Sequence, residues 1–166
     1  MPTPKIITLT PDDFSAAVFA GAFRSIESVL RNRKDSVYEK DWNTGTHRHI
    51  LGAVGEIAVL KFLNIYKSPT INNFSGADIV YNGKKIEVRH RENKSFDMIV
   101  RRNNSPSSVY VMTRGLAPTI EVVGWEVGKN VMKDSFIRDH GGYGAAWFVP
   151  QDALRDMEEL IDFNTN

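Results

Sequence analysis

The sequence predicts an α/β fold in one domain that spans residues 1–166, and two features indicate it. Apolar residues recur at helical spacing in the first part of the chain and alternate with a period of two from Ala77 onward. Asn82-Gly83, a dipeptide typical of tight hairpin turns, separates the first two alternating runs. Helices followed by a run of strands and a last helix are typical of α/β or α+β proteins.

The first predicted helix begins at Thr10-Pro11, where Asp13 stands at the acidic position of a capping box, and it should end near Arg33. Four large apolar residues follow one another along it at spacings of four, three and four: Phe19, Phe23, Ile26 and Leu30. They form one stripe, which we expect to lie in the core or at a dimer face.

A second helix is predicted over residues 46–63. Its interior glycines, Gly52 and Gly55, suggest that another element packs closely against it, because glycine costs helix stability without such a reason. Glu56 shares a helix face with small and apolar residues, where an unpaired carboxylate is unfavourable. We therefore expect Glu56 to have a partner: a metal ion, a metal-bound water, or an arginine from elsewhere in the fold.

The alternating region predicts five short strands, at residues 77–82, 84–91, 96–102, 107–114 and 119–127. A short helix near 129–134, a strand at 146–149 and a terminal helix over 150–160 should follow. Residues 1–45 thus read as an N-terminal helix and loop, and residues 46–160 as the core of the domain.

The composition of the chain excludes several kinds of functional site. The chain has no cysteine, which excludes disulfides, cysteine-bound zinc, iron–sulfur clusters and a cysteine nucleophile. No stretch approaches the roughly 20 apolar residues of a membrane-spanning helix, and Met1–Asp13 lacks the apolar centre of a signal peptide. We therefore expect a soluble, cytoplasmic protein without a membrane partner.

Basic residues concentrate in the middle of the chain. Between Lys84 and Arg102, seven Lys and Arg face three acids, a local charge of +4, whereas the last fifteen residues carry −4. This distribution suggests a polyanionic partner, although ordinary solvated strands explain the charges alone equally simply. The candidate nucleic-acid-binding residues are Arg89, Arg91, Lys94, Arg101 and Arg102.

The hairpin makes a geometric prediction. If Asn82-Gly83 forms the two-residue turn, Tyr81 faces Lys84 and, further along, Asp78 lies directly opposite Glu87. Directly opposed like charges destabilise a sheet. A bound divalent cation would turn this repulsion into a set of ligands, since Mg²⁺ takes carboxylate oxygens together with water and substrate phosphates.

Strand alternation places Lys85, Arg89 and Arg91 on the same face as Glu87. Two acids beside a cationic side chain suit phosphodiester hydrolysis, because the metal activates a water and the cationic group holds the phosphate. The alternative is structural: Asp78 and Glu87 simply pair with Lys85 or Arg89.

Three segments in this order resemble the PD-(D/E)XK nuclease superfamily, in particular its small phage and bacterial members. They are Gly52-Ala53-Val54-Gly55-Glu56, Gly76-Ala77-Asp78-Ile79 and Glu87-Val88-Arg89. The resemblance implies a restriction-endonuclease-like mixed central sheet of about five strands flanked by helices. It also implies cleavage of nucleic acid with Mg²⁺ or Mn²⁺.

By matching positions, the resemblance makes Asp78 and Glu87 metal ligands and Glu56 the helix glutamate that completes the metal site. The expected function is a deoxyribonuclease, structure-selective or non-specific, that acts in a cytoplasm. RNA as a substrate and a homodimer as the working state stay open.

One position departs from the family pattern, because Arg89 stands where the superfamily has lysine. Arginine stays protonated and cannot act as a general base, although it can bind phosphate. Lys85, two residues before Glu87, is the candidate substitute. This departure motivates a second hypothesis, a non-catalytic nucleic-acid-binding module on the same fold. A third is a structural or protein-interaction domain.

Overall fold

The computed structural model describes residues 1–31, 42–66, 76–139 and 144–163. The helices, in chain order, are α1 (Pro11–Leu30), α2 (Trp42–Phe62), α3 (Gly128–Val131) and α4 (Met157–Asp162). The strands are β1 (Lys5–Thr8), β2 (Ile79–Tyr81), β3 (Lys84–Arg91), β4 (Met98–Arg101), β5 (Val109–Leu116), β6 (Thr119–Val127), β7 (Ile137–Asp139) and β8 (Ala145–Val149).

Five strands form a mixed sheet in the order β1-β6-β5-β3-β2. The β3–β5 pair is parallel, and the other neighbours in this sheet are antiparallel. A second, antiparallel sheet has the order β4-β8-β7. The predicted α/β fold with a mixed sheet of about five strands is confirmed.

Each face of the five-stranded sheet has its own hydrophobic cluster. On one face, side chains such as Val111 and Trp125 pack with residues of α1, α2 and α4. On the other face, Tyr110 and Met112 pack against the second sheet through residues such as Trp147. Because residues alternate along β5, one strand supplies both clusters. The helices thus flank one face, and the smaller sheet covers the other.

Helix α1 begins as predicted. The backbone N–H of Asp13 donates to Thr10 Oγ1 at 3.2 Å, and the N–H of Thr10 donates to Asp13 Oδ2 at 2.7 Å. This capping box satisfies two N–H groups at the start of the helix. The helix ends at Leu30, slightly before the predicted Arg33, and α2 begins at Trp42 rather than at residue 46. The predicted loop between them falls largely on residues 32–41, outside the described ranges.

The apolar stripe of α1 was predicted to lie in the core or at a dimer face; the first alternative is wrong, and the second stays a prediction. Helix α1 packs on α2 through small residues: Ala17, Ala20, Gly21, Ser25 and Ser28 are buried. A Cβ atom on Gly21 would lie 2.5 Å from the Cα of Ile50, so the two helix backbones approach closely. Since that face meets α2, the large side chains of Phe19, Phe23, Ile26 and Leu30 are exposed.

The two interior glycines of α2, Gly52 and Gly55, differ in how closely other residues approach them. A Cβ on Gly55 would lie 2.5 Å from Thr113 Oγ1 and 3.1 Å from the Cβ of His90, so the predicted close packing is confirmed there. Around Gly52 no atom of the described residues lies within 4 Å of such a Cβ, so among them the predicted close packing is absent at that position. Gly55 therefore lets α2 rest against β3 and β5, directly beside Glu56.

Strands β1 and β7 were not predicted, and β4 belongs to the second sheet. The predicted continuous helix over 150–160 is also wrong. A short 3₁₀ turn, Gln151–Ala153, precedes α4. Between them Arg155 forms a bridge to Trp125, with N–H···O distances of 2.9 and 3.1 Å in the two directions. Within the described ranges, no helix is long and apolar enough to cross a membrane.

Candidate functional site

The β2–β3 hairpin has the predicted turn and register. Asn82 and Gly83 have φ angles of 47° and 74°, the left-handed conformation that a tight hairpin turn needs at both central positions. Tyr81 pairs with Lys84, and Ile79 pairs with Ile86. This register directs Asp78 toward Glu87, as the sequence predicted.

Asp78 lies one residue before β2, and its side chain continues the β2–β3 pairing through a hydrogen bond to the backbone of β3. Its Oδ2 accepts a hydrogen bond of 2.8 Å from the backbone N–H of Val88. In a continued antiparallel ladder, Val88 would face Ala77. Instead, the carboxylate of Asp78 accepts the hydrogen bond from the N–H of Val88, and this contact holds the carboxylate at the edge of the sheet.

Arg89 lies between the two predicted metal ligands. Its Nη1 is 3.8 Å from Asp78 Oδ2, and its Nη2 is 3.3 Å from Glu87 Oε2. The guanidinium also donates to the backbone carbonyl of Val88 at 2.9 Å and lies 5.5 Å from the centre of the Tyr110 ring. The structure therefore brings Asp78, Glu87 and Arg89 together, with the arginine contacting both acids.

The acids influence each other electrostatically. Burial raises the pKa of Glu87, and the negative charge of Asp78 raises it further. The charges of Arg89 and Lys85 act in the opposite direction. Lys85 lies two residues before Glu87 on the same strand, and its charge lowers the pKa of Glu87. Its side chain is exposed to solvent.

Glu56 has the arginine partner that the sequence left as one alternative. Its side chain is buried, and Arg24 of α1 donates to each carboxylate oxygen at 2.6 Å. Two parallel hydrogen bonds of this kind are the strongest contact between these groups. The sequence shows that Glu56 needs a partner, but Arg24 becomes that partner only through the packing of α1 on α2.

Glu56 also belongs electrostatically to the hairpin site. Burial raises its pKa to about 7; the charges of Asp78 and Glu87 add to this shift, and the hydrogen bonds from Arg24 oppose it. Burial acts to lower the pKa of Arg24, yet its contacts with Glu56 and the charge of Asp78 raise it overall. The three acids and two arginines form one coupled cluster, which we call the acid cluster: Arg24, Glu56, Asp78, Glu87 and Arg89.

The acid cluster can be compared with the needs of a metal ion. Among the residues that the structure describes, no group of three or more His, Cys, Asp or Glu side chains is arranged to hold a metal. Asp78 and Glu87 nevertheless offer hard carboxylate oxygens, and Mg²⁺ is commonly bound by one or two carboxylates plus waters and substrate phosphates. This donor set fits Mg²⁺ or Mn²⁺ if Arg89 gives up its contacts with the two acids.

The predicted nucleic-acid-binding residues divide between two places. Arg91 follows Arg89 on the same face of β3 and lies 4.9 Å above the ring of Phe96. Its Nε is buried, and within the described part of the chain it has no hydrogen-bond partner. Burial lowers the pKa of Arg91. It is the predicted residue best placed to continue the site along the strand.

The other predicted cations lie away from the hairpin. Lys94 forms an ion pair with Glu121. Arg101 ends β4 and Arg102 follows it, so both belong to the second sheet, where Arg102 lies 4.8 Å above the ring of Trp147. The single basic surface that the sequence suggested is therefore divided between a strand of the main sheet and the end of β4.

Tyr110 is a neighbour of the site that sequence reasoning missed. It pairs with Glu87 across the parallel β3–β5 ladder, and its hydroxyl donates to the carbonyl of Ser105 at 2.7 Å. Burial raises its pKa to about 12, so the hydroxyl stays protonated near neutral pH. Its ring supports the guanidinium of Arg89. Local sequence carries no signal for this contact, since it depends on which strands pair.

The chain matches no protein-family model, no curated protein and no solved structure.

Proposed function

We propose that the protein is a metal-dependent deoxyribonuclease that hydrolyses phosphodiester bonds in DNA. It either selects a particular DNA structure or cleaves DNA non-specifically. One observation supports this proposal above the others: Asp78 and Glu87 lie close enough to contact the same guanidinium, that of Arg89, at 3.8 and 3.3 Å. Paired acids beside a cationic side chain suit the binding of Mg²⁺ or Mn²⁺ and of a phosphate.

Each residue of the site has a proposed role. Asp78 and Glu87 hold the ion, which when bound supplies the charge that activates water and neutralises phosphate oxygens. Arg89, released from the acids, binds the scissile phosphate and stabilises its developing charge. Lys85 adds a second positive charge from the exposed side of the same strand.

Glu56 and Arg24 act behind these residues. Glu56 completes the site from behind: both of its carboxylate oxygens accept from Arg24, and its pKa of about 7 makes its charge depend on pH near neutrality. Arg24 is a positioning residue, because its two hydrogen bonds fix the direction of the Glu56 carboxylate. Arg91 then holds the phosphate next along the strand.

A second candidate function is a nucleic-acid-binding module without catalysis. The contacts of Arg89 favour it, because a fixed positive charge already neutralises both acids at the place where a metal ion would bind. In such a module Arg89 and Arg91 contact the backbone of the nucleic acid, and Asp78 and Glu87 only hold Arg89 in position.

A cleavage assay separates the two functions. The purified protein is incubated with end-labelled single-stranded, duplex and branched DNA and with RNA, in Mg²⁺, Mn²⁺, Ca²⁺ or EDTA. The test variant is Glu87→Gln, and the matched control is Glu158→Gln, which removes a surface acid paired with Lys5. We expect cleavage of DNA in Mg²⁺ or Mn²⁺ that is lost in EDTA and in Glu87→Gln but kept in Glu158→Gln.

The other outcomes are equally informative. Binding without cleavage in all four solutions would establish the binding module in place of the nuclease. Cleavage that Glu87→Gln leaves unchanged would place the activity outside the acid cluster. Absence of both binding and cleavage would contradict both functions and favour a structural role for the ion pairs.

A further inference from the structure

Helix α1 presents a continuous apolar surface to solvent. Four side chains, which we call the α1 stripe, are exposed by 66% (Phe19), 50% (Phe23), 42% (Ile26) and 78% (Leu30). All four lie on one side of the helix, since they are spaced four, three and four residues apart. Val29, beside the stripe, is also exposed. Isolated exposed apolar residues are ordinary, whereas a row of four on one helix marks an interaction surface.

The spacing of the stripe indicates what kind of surface would cover it. Alternating steps of four and three residues are those of the seam along which two helices pack side by side. The seam extends over about 16 Å of helix. Helix α1 already uses its face of small residues, such as Ala17 and Gly21, to pack on α2. Among the described residues, none covers the stripe, which can therefore receive a second helix.

The size of the surface fits a dimer. The four side chains leave about 400 Å² exposed, given the surface that large apolar residues present. A standard interface takes about 800 Å² from each partner, with an apolar centre and a polar rim. The stripe is large enough to form that centre, and residues around α1 would supply the rim.

The charge of helix α1 itself, over Pro11–Leu30, disfavours a membrane or a nucleic acid along the helix. Helix α1 contains three acids, Asp12, Asp13 and Glu27, and its basic residue, Arg24, is engaged by Glu56. Helices that lie on membranes carry many Lys and Arg on their polar face, and binding to a nucleic acid also requires positive charge.

Charge is compatible with a second copy of the same helix. Glu27, an acid on the flank of the stripe, pairs with Arg31 at 2.6 Å, so the charge of Glu27 is balanced where an identical helix would approach. Closed homodimers bring the same patch together around a two-fold axis. When that axis is perpendicular to the helices, the two helices run antiparallel, and Phe19 of one copy then faces Leu30 of the other.

We propose that the α1 stripe is a homodimer interface, in which α1 of one chain packs antiparallel on α1 of a second copy. This inference rests on the exposure and spacing of the stripe and does not depend on the proposed nuclease activity. Because Arg24 lies on the same helix, the interface helix is also the helix that positions Glu56.

Analytical ultracentrifugation tests the proposal on the full chain, over about 1 to 100 µM. We expect the wild type to form a species of twice 18.7 kDa. Phe23→Glu should weaken the dimer at least tenfold, because it places a charge in the seam. Leu116→Glu is the matched control, since Leu116 is 60% exposed on β5 and lies outside the stripe; it should leave the dimer unchanged. Circular dichroism verifies that both variants fold.

A monomer at every concentration would overturn the proposal, and so would a Phe23→Glu dimer as stable as the wild type. Binding of the monomer to lipid vesicles, lost in Phe23→Glu, would also overturn it in favour of a membrane surface. The chain has no cysteine, so single cysteines report the orientation. A mixture of Phe19→Cys and Leu30→Cys should cross-link on oxidation, and Phe19→Cys alone should not. Cross-linking of Phe19→Cys to itself would exclude the antiparallel arrangement.

Discussion

Arg24 on α1 donates one hydrogen bond to each carboxylate oxygen of Glu56 on α2, both at 2.6 Å. The pair is largely buried, with 15% of the Arg24 side chain and 5% of the Glu56 side chain exposed. It joins the N-terminal helix to the helix that packs beside the predicted catalytic hairpin. The pair is therefore a structural contact and, through Glu56, a part of the candidate site.

Removing Arg24 should be costly because it leaves a buried carboxylate without its partner. At pH 8, where Glu56 is largely ionised, Arg24→Ala should lower the free energy of unfolding by about 3–5 kcal/mol. Arg31→Ala, which removes the exposed i,i+4 partner of Glu27, should cost no more than about 0.5 kcal/mol. Denaturant unfolding measures both values, and equal losses would contradict this difference in burial.

The raised pKa of Glu56 predicts a particular pH dependence of stability. Its pKa is 4.5 in the unfolded chain and about 7 in the folded protein. Between these values the native state keeps a proton that the unfolded state releases, so the free energy of unfolding falls as pH rises from about 4.5 to 7. The fall should be roughly 3 kcal/mol. This contribution should appear as the difference between the wild-type curve and that of Glu56→Gln, and two parallel curves would refute the shift.

The hairpin lets charge be separated from hydrogen bonding at Asp78. In Asp78→Asn the side-chain oxygen still accepts from the N–H of Val88, so stability should change by less than about 1 kcal/mol. The negative charge that raises the pKa of Glu87 disappears, and that pKa should fall toward its ordinary value. Carboxyl NMR titration of Glu87 measures the change.

Asp78→Ala is the control for the hydrogen bond. It removes the charge and the acceptor together, and it should cost about 1–2 kcal/mol of stability. If Asp78→Asn and Asp78→Ala destabilise the protein equally, the contact with Val88 contributes no stability.

The two glycines of α2 should respond oppositely to alanine. Gly55→Ala places a Cβ 2.5 Å from Thr113 Oγ1, so β3 or β5 must move away and the protein should be destabilised by about 1–3 kcal/mol. The new Cβ in Gly52→Ala meets no atom of the described residues within 4 Å, and helix propensity should make this change neutral or stabilising by up to about 1 kcal/mol. Thermal unfolding compares them, and a shift of the same sign in both would contradict the packing.

The cations should differ in their effect on DNA binding. Arg91→Gln should weaken binding and reduce the salt dependence by about one phosphate contact. Lys94→Gln should change binding little, because Glu121 already pairs with Lys94. Fluorescence anisotropy over a salt series measures both, and the prediction fails if Lys94→Gln has the larger effect.

The parts of the fold that were predicted correctly depend on local signals. The capping box of α1 and the Asn82-Gly83 turn each lie within a few residues, and the turn alone determines that Ile79 faces Ile86. The stripe on α1 was predicted to lie in the core or at a dimer face, and the core alternative was wrong because periodicity identifies an apolar face without showing which side meets the core. Here the small residues, represented by Gly21, allow closer packing than the large ones.

The candidate site, like the fold, was predictable only where nearby residues along the chain determine it. The hairpin register gave the neighbourhood of Asp78 and Glu87, and strand alternation added Arg89. Arg24 and Tyr110 could not be named, since their contacts depend on helix packing and on the parallel β3–β5 pair. The nuclease activity, its metal ion and its DNA substrate stay predictions that the assays above test.

The pairing of β1 with β6 has a consequence for how the protein folds during its synthesis. Lys5 pairs with Val122, so β1 finds its neighbour only after the long intervening segment has been made. At ordinary rates of translation this delay is on the order of ten seconds. During that time Ile6 and Ile7 lie in an unpaired segment, and the five-stranded sheet closes only once β6 has been made.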